Sequence, residues 1–139
     1  MPYIKNQYRG KINWAIMTII IDRDLNKSVS DIIVSLDELP KEIFDGALNY
    51  ACTQILRKLN PIESNAIVAS ILHHYYMGKP SYVKLKDCIG LLNVMILEFN
   101  RRNWGNNRVD NILKYLLQYV TEIYNEYEPQ KMAENGDLE

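Results

Sequence analysis

This sequence predicts an all-α fold, a compact bundle of five to six helices followed by a short polar C-terminal tail. Two features predict it. Apolar residues recur three and four positions apart over long stretches, most clearly in Leu85, Ile89, Leu92, Ile96 and Phe99, which lays them along one helix face. Cap and stop residues such as Asn60-Pro61, Gly78 and Ser81 punctuate those stretches. At 139 residues the chain fits one domain and can bury a core without metal or disulfide staples. No internal period repeats and no Gly-Ser linker divides it, so residues 1–127 are expected to form one helical domain and 128–139 the tail.

The first periodic segment runs from about Lys11 to Arg23, with Ile12, Ile16 and Ile19 at helical spacing; its β-branched content also suits a strand. Asp24 to Lys27 reads as a polar turn and Ser28 as the cap of a second helix carrying Val29, Ile32, Leu36 and Leu39. Pro40 ends that pattern and suits the first turn of a third helix, Lys41 to Leu59, with Phe44, Leu48, Ala51, Ile55 and Leu59 on one face. Gly46 inside it costs roughly 1 kcal/mol relative to alanine. Asn60 caps and Pro61 opens a fourth helix, which ends near Met77 with Gly78 as its stop. Ser81 caps the fifth and Gly105 ends it. A sixth begins near Asn107 with Val109, Ile112, Leu116, Val120, Ile123 and Tyr127. Each of the last two, at about 21 residues, would be roughly 30 Å long. The polar segment Glu128 to Glu139 is expected to be extended or frayed.

A net charge of −1 gives no global attraction to nucleic acid or anionic lipid, so any anion site must be local. The longest apolar run, Ile12 to Ile21, is broken by Asn13 and Thr18 and falls short of the roughly 20 residues that span a bilayer. With no signal peptide at the start, a cytosolic location is expected and a membrane partner is not. Nucleic acid is not an expected partner either.

Few residues suggest chemistry. His73 and His74 are adjacent, about 100° apart on a helix, so they do not chelate one ion as an i, i+4 pair would. No nucleophile elbow, phosphate-binding loop or dinucleotide fingerprint is present. Asp22, Asp24, Asp31, Asp37, Glu38, Glu42 and Asp45 cluster before and between helices, as solvated faces or helix-start charges do. No enzyme, cofactor or metal is expected. Arg101, Arg102, Trp104, Asn107 and Arg108 form the strongest candidate. Three guanidiniums flank an indole where a new helix starts, and forked donors with unpaired amides suit phosphate or carboxylate. The simpler reading is that the arginines stabilise a helix C-terminus and Trp104 fills the turn. Asn49 and Tyr50 lie on an otherwise apolar helix, where they bind a ligand or satisfy a neighbouring helix. Tyr115 and Tyr119, four apart on the flank of the last helix, suit packing against a partner chain.

Several stretches resemble a family of small uncharacterised phage and prophage proteins. Met1-Pro2-Tyr3-Ile4-Lys5 is similar to its opening, and Gly46-Ala47-Leu48-Asn49-Tyr50 with Thr53 to its Gly-x-Leu-Asn-Tyr-x-x-Thr motif. Tyr82 to Arg102 resembles its long helix ending in two arginines, and Tyr127 to Asp137 its closing Glu-Asn-Gly-Asp tail. The likeness covers a little under half of the chain. Where the family has Glu-Cys, lysine and tyrosine on the long helix, this chain has Asn93-Val94, Ile96 and Asn100, and an extra helix precedes the tail. The resemblance implies a bacterial host cytoplasm, hence reduced, buried thiols at Cys52 and Cys88. It makes Glu134, Asn135 and Asp137 candidates for partner docking. The expected function is binding by a non-catalytic phage accessory protein, a homo-oligomer that sequesters a small anionic nucleotide signal of host defence. The alternative is a helical module that docks on a host or phage protein.

Overall fold

A computed structural model describes residues 10, 12–17, 25–102 and 107–135, with backbone alone at 25, 107–110 and 127–135. Every element among them is helical. In chain order they are α1, described over residues 12–17; α2 (Leu25–Asp37); a 3-10 turn (Lys41–Ile43); α3 (Phe44–Lys58); α4 (Pro61–Leu72); a π turn (His73–Met77); α5 (Tyr82–Arg102); and α6 (Asn107–Asn135). The fold class is all-α, and the ambiguous first segment is a helix. Its expected positions Ile19 and Arg23, with Asp22 and Asp24, lie outside the described residues. The chain divides into two compact units, Met1–Ile71 and Leu72–Glu139.

In the first unit, α1 buries Ile12, Ala15 and Ile16, and α2 buries Ser28, Ile32 and Leu36. Ser28 is therefore not the cap the sequence suggests. Helix α2 begins three residues earlier, because Leu25-Asn26-Lys27 contains neither glycine nor proline to stop it. Pro40, extended at φ −58° and ψ 144°, accepts the Ile43 N–H at 3.2 Å and closes the 3-10 turn before α3. Gly46 consequently falls in the first turn of α3 rather than its interior. From Ala47 to Leu56 every residue of α3 except Asn49 is buried, Thr53 and Gln54 included, so this helix is covered on all sides. Helix α4 starts as expected: the Glu63 N–H donates to Asn60 Oδ1 at 2.8 Å, and Asn60 Nδ2 donates to the Glu63 carboxylate.

In the second unit, the π turn ends with the Gly78 N–H donating five residues back to the His73 carbonyl at 2.8 Å. Gly78 is right-handed, φ −66° and ψ −44°, so it stops the helix without the positive φ expected of a glycine cap. Pro80, two residues on, cannot continue the ladder. Ser81 Oγ then accepts the Lys84 N–H at 3.1 Å and caps α5. Helix α5 packs on the π turn and on α6. Its buried stripe is Leu85, Cys88, Leu92, Met95 and Phe99, steps of three, four, three and four, and α6 buries Leu113, Leu116 and Val120. The Tyr82 ring, at the start of α5, lies 5.6 Å from that of Tyr124, late in α6, so the pair runs antiparallel.

Ile89 and Ile96, expected at the centre of the α5 stripe, lie half-buried on its flank, as do Ile112 and Ile123 on α6. A line through Leu85, Leu92 and Phe99 can be filled from either side, by 88 and 95 or by 89 and 96. Here the soft side chains of Cys88 and Met95 take the inner side. Helix α6 also outruns its expected end at Tyr127, keeping a helical backbone to Asn135. Glu128, Gln130, Lys131, Met132, Ala133 and Glu134 are strong helix formers, and the backbone stays helical across Pro129, a residue that costs about 3 kcal/mol in a helix interior.

Candidate functional site

Arg101 and Arg102 occupy the last turn of α5, where cationic side chains complement the helix dipole. One carboxylate gathers both. Arg101 Nη2 donates to Glu98 Oε1 and Oε2 at 2.9 and 3.1 Å, and Arg102 Nε donates to Oε2 at 2.8 Å. Spacings of three and four residues place all three side chains on one face of α5. The Arg102 hydrogen bond, followed by that of Arg101, holds the Glu98 carboxyl below its ordinary range. Two guanidiniums on one carboxylate leave a local charge of one. The Arg101 side chain, 64% exposed, keeps donors facing solvent, so this end of α5 can still meet a single anionic group. Trp104 lies outside the described residues, and for Asn107 and Arg108 only the helical backbone at the start of α6 is described.

Asn49 and Tyr50 belong to the first compact unit, whereas the two arginines belong to the second. Both are engaged inside the fold. The Tyr50 hydroxyl donates to Asn13 Oδ1 at 2.8 Å, tying α3 to α1, and Thr53 Oγ1 donates to Asn49 Oδ1 at 3.1 Å. Tyr50 is buried and Asn49 half-buried, which matches core satisfaction better than a ligand.

On α6 the two tyrosines of the sequence reading face outward. Tyr115 is 64% and Tyr119 45% exposed, one turn apart, and with Gln118 and Glu122 they line a shallow depression of about 90 Å³. Gln118 Nε2 donates to Glu122 Oε1 at 3.2 Å, which braces the polar side of that depression. Amphipathic rings beside a fixed amide and carboxylate suit a protein surface. Glu134 and Asn135 continue α6 with only their backbone described, and Asp137 lies outside the described residues.

Other features are less ready for chemistry. Cys52 and Cys88 are buried thiols not joined in a disulfide, and burial pushes the Cys88 thiol up to about 12, far from a reactive thiolate. His73 and His74 are exposed on the π turn, with the His74 ring edge-on to Tyr75 at 4.9 Å. Among the described residues no group of three or more histidine, cysteine or carboxylate side chains is placed to hold a metal ion. An open depression of about 450 Å³ at the α2–α3 junction is lined by Leu36, Asp37, Leu39, Lys41, Phe44 and Asp45. The sequence presents Asp37 and Asp45 as solvated or helix-start charges and Leu36 and Leu39 as an apolar helix face, and spacing alone does not show that they border one depression. What sequence reasoning missed is the apolar outer face of α5, where Val83, Val94 and Leu97 are exposed. No described helix is long and apolar enough to cross a membrane.

Residues 1–138 match the family model described as Domain of unknown function (DUF6899). No curated protein and no solved structure matches the chain.

Proposed function

The chain belongs to the DUF6899 family over residues 1–138, and from that premise we propose that it acts by binding a protein partner on the outer face of α6. The observation that carries this reading is the pair Tyr115 and Tyr119, exposed one turn apart beside the bonded Gln118 and Glu122. Two large amphipathic rings held on a rigid helix offer contact area at little cost in side-chain entropy. A phage accessory protein docking on a host or phage protein is the context that the resemblance suggests. Capture on the tagged full chain from infected lysate tests it. A stoichiometric partner should be retained by R101A/R102A and lost by Y115A/Y119A. Retention of that partner by the tyrosine variant would overturn the reading.

A second reading, sequestration of a small anionic nucleotide, draws on the exposed donors of Arg101 at the end of α5. The Glu98 clamp weakens it, because a phosphate must compete with a carboxylate already in place. Calorimetry with cyclic dinucleotides and ADP-ribose decides the matter. Heat that disappears in R101A/R102A supports this reading, and no heat with any of them removes it.

A further inference from the structure

Helix α5 carries a second ordered stripe, opposite its buried one. Val83, Asp87, Gly90, Val94, Leu97 and Arg101 follow one another at steps of four, three, four, three and four, within an arc of about 80°. All six are exposed, Val94 at 47% and Leu97 at 66%. A Cβ added at Gly90 would meet nothing within 4 Å, so the middle of the stripe is a notch open to solvent. Such spacing on an outer face is the pattern by which one helix seats another.

The charges on the stripe identify what seats there. Asp87 and Arg101 stand seven residues to either side of Val94, each about 10.5 Å along the axis at 1.5 Å per residue. A parallel copy of α5 would set Asp87 against Asp87 and Arg101 against Arg101. An antiparallel copy related by a two-fold axis at Val94 sets Asp87 against Arg101 twice. In that arrangement Leu97 of one copy comes level with residues 90 and 91 of the other, over the notch at Gly90, and Val94 meets Val94. Residue i contacts j while j contacts i, as a closed two-fold interface requires. The missing side chain at Gly90 lets the axes approach to the short end of the range for packed helices, about 8 Å.

From this self-complementarity we infer that the outer face of α5 is a homodimer interface, occupied by a second copy of this chain in antiparallel register. It is independent of the α6 face assigned above to a protein partner. One helix per copy gives a contact at the low end of specific interfaces, below about 1,200 Å² in total, so the dimer exchanges with monomer on dilution.

Sedimentation velocity on the full chain, from micromolar to millimolar concentration, tests it. Wild type should pass from monomer to dimer, and L97E should remain monomeric with an unchanged helical circular dichroism spectrum. D87R and R101D should each weaken association at least tenfold, and the double variant D87R/R101D should recover most of that loss, since the swap re-creates both intermolecular pairs while giving up the Arg101–Glu98 contact within each copy. As a second readout, V94C should form an intermolecular disulfide under mild oxidation, since the two-fold axis brings that position beside itself. Y115C, on α6, should not. A chain that is monomeric throughout the range would overturn the inference. So would a dimer indifferent to L97E and to the charge swap, or cross-linking through Y115C in place of V94C.

Discussion

Glu98 shows how one residue decides what its neighbours can do. Held first by Arg102 and then by Arg101, its carboxyl titrates below the ordinary 4.5. The folded-state value is depressed, so the contribution to stability is present above the ordinary value and is lost as pH falls through the lowered one. The pair is open to solvent, so that contribution is small. Carboxyl NMR should find the Glu98 midpoint low in wild type and moved upward by R102Q more than by R101Q. Cys88 has the opposite sign. Burial raises its thiol from 9.0 to about 12, so stability is full below 9 and is lost as pH rises from 9 toward 12. Accordingly, a thiol reagent should label neither Cys52 nor Cys88 at neutral pH until denaturant unfolds the chain. In the dilute monomer, where a methyl added at Gly90 meets empty space, G90A should stabilise α5 by about 0.5–1 kcal/mol and raise the melting temperature.

Helix ends and faces show how far the sequence can be read. Asn60 followed by Pro61 and Glu63 is a local signature, and the cap forms as written; N60A should cost about 1 kcal/mol in chemical denaturation. Ser28 carries the same local chemistry but sits buried inside α2, since a capping residue caps only where the preceding chain leaves the helix. The π turn at His73–Met77 was not legible either, because its residues suit an α-helix and only the hydrogen bonding differs. On α5 the line Leu85, Leu92 and Phe99 was plain from spacing. The choice of Cys88 and Met95 over Ile89 and Ile96 depends on which side the neighbours lie, which one helix cannot state. L92A, at a fully buried position, should cost about 2–5 kcal/mol, whereas L97A on the outer face should leave stability nearly unchanged. The arginine pair was legible as a helix ending, but its carboxylate partner three and four residues away went unweighed, and that partner changes what the pair offers an anion. The outer stripe of α5 escaped notice because Val83, Val94 and Leu97 lie off the periodic line of Leu85, Leu92 and Phe99 and were given no face of their own.

At the scale of the whole chain, the all-α fold divides into two compact units. The second unit pairs a buried seam between α5 and α6 with two exposed faces, a tyrosine pair on α6 and an apolar stripe with balanced charges on α5. Held rigid by the seam beneath them, such faces suit the binding of macromolecules. The two faces predict separable losses: L97E should abolish self-association while leaving partner capture intact, and Y115A/Y119A should do the reverse, as sedimentation and capture together would register. The most direct test of the α6 assignment is hydroxyl-radical footprinting of the full chain, alone and in its captured complex. Tyr115 and Tyr119 should label strongly in the free chain and lose most of that labelling in the complex. Equal labelling of both tyrosines in the two states would contradict the assignment of α6 as the partner's seat.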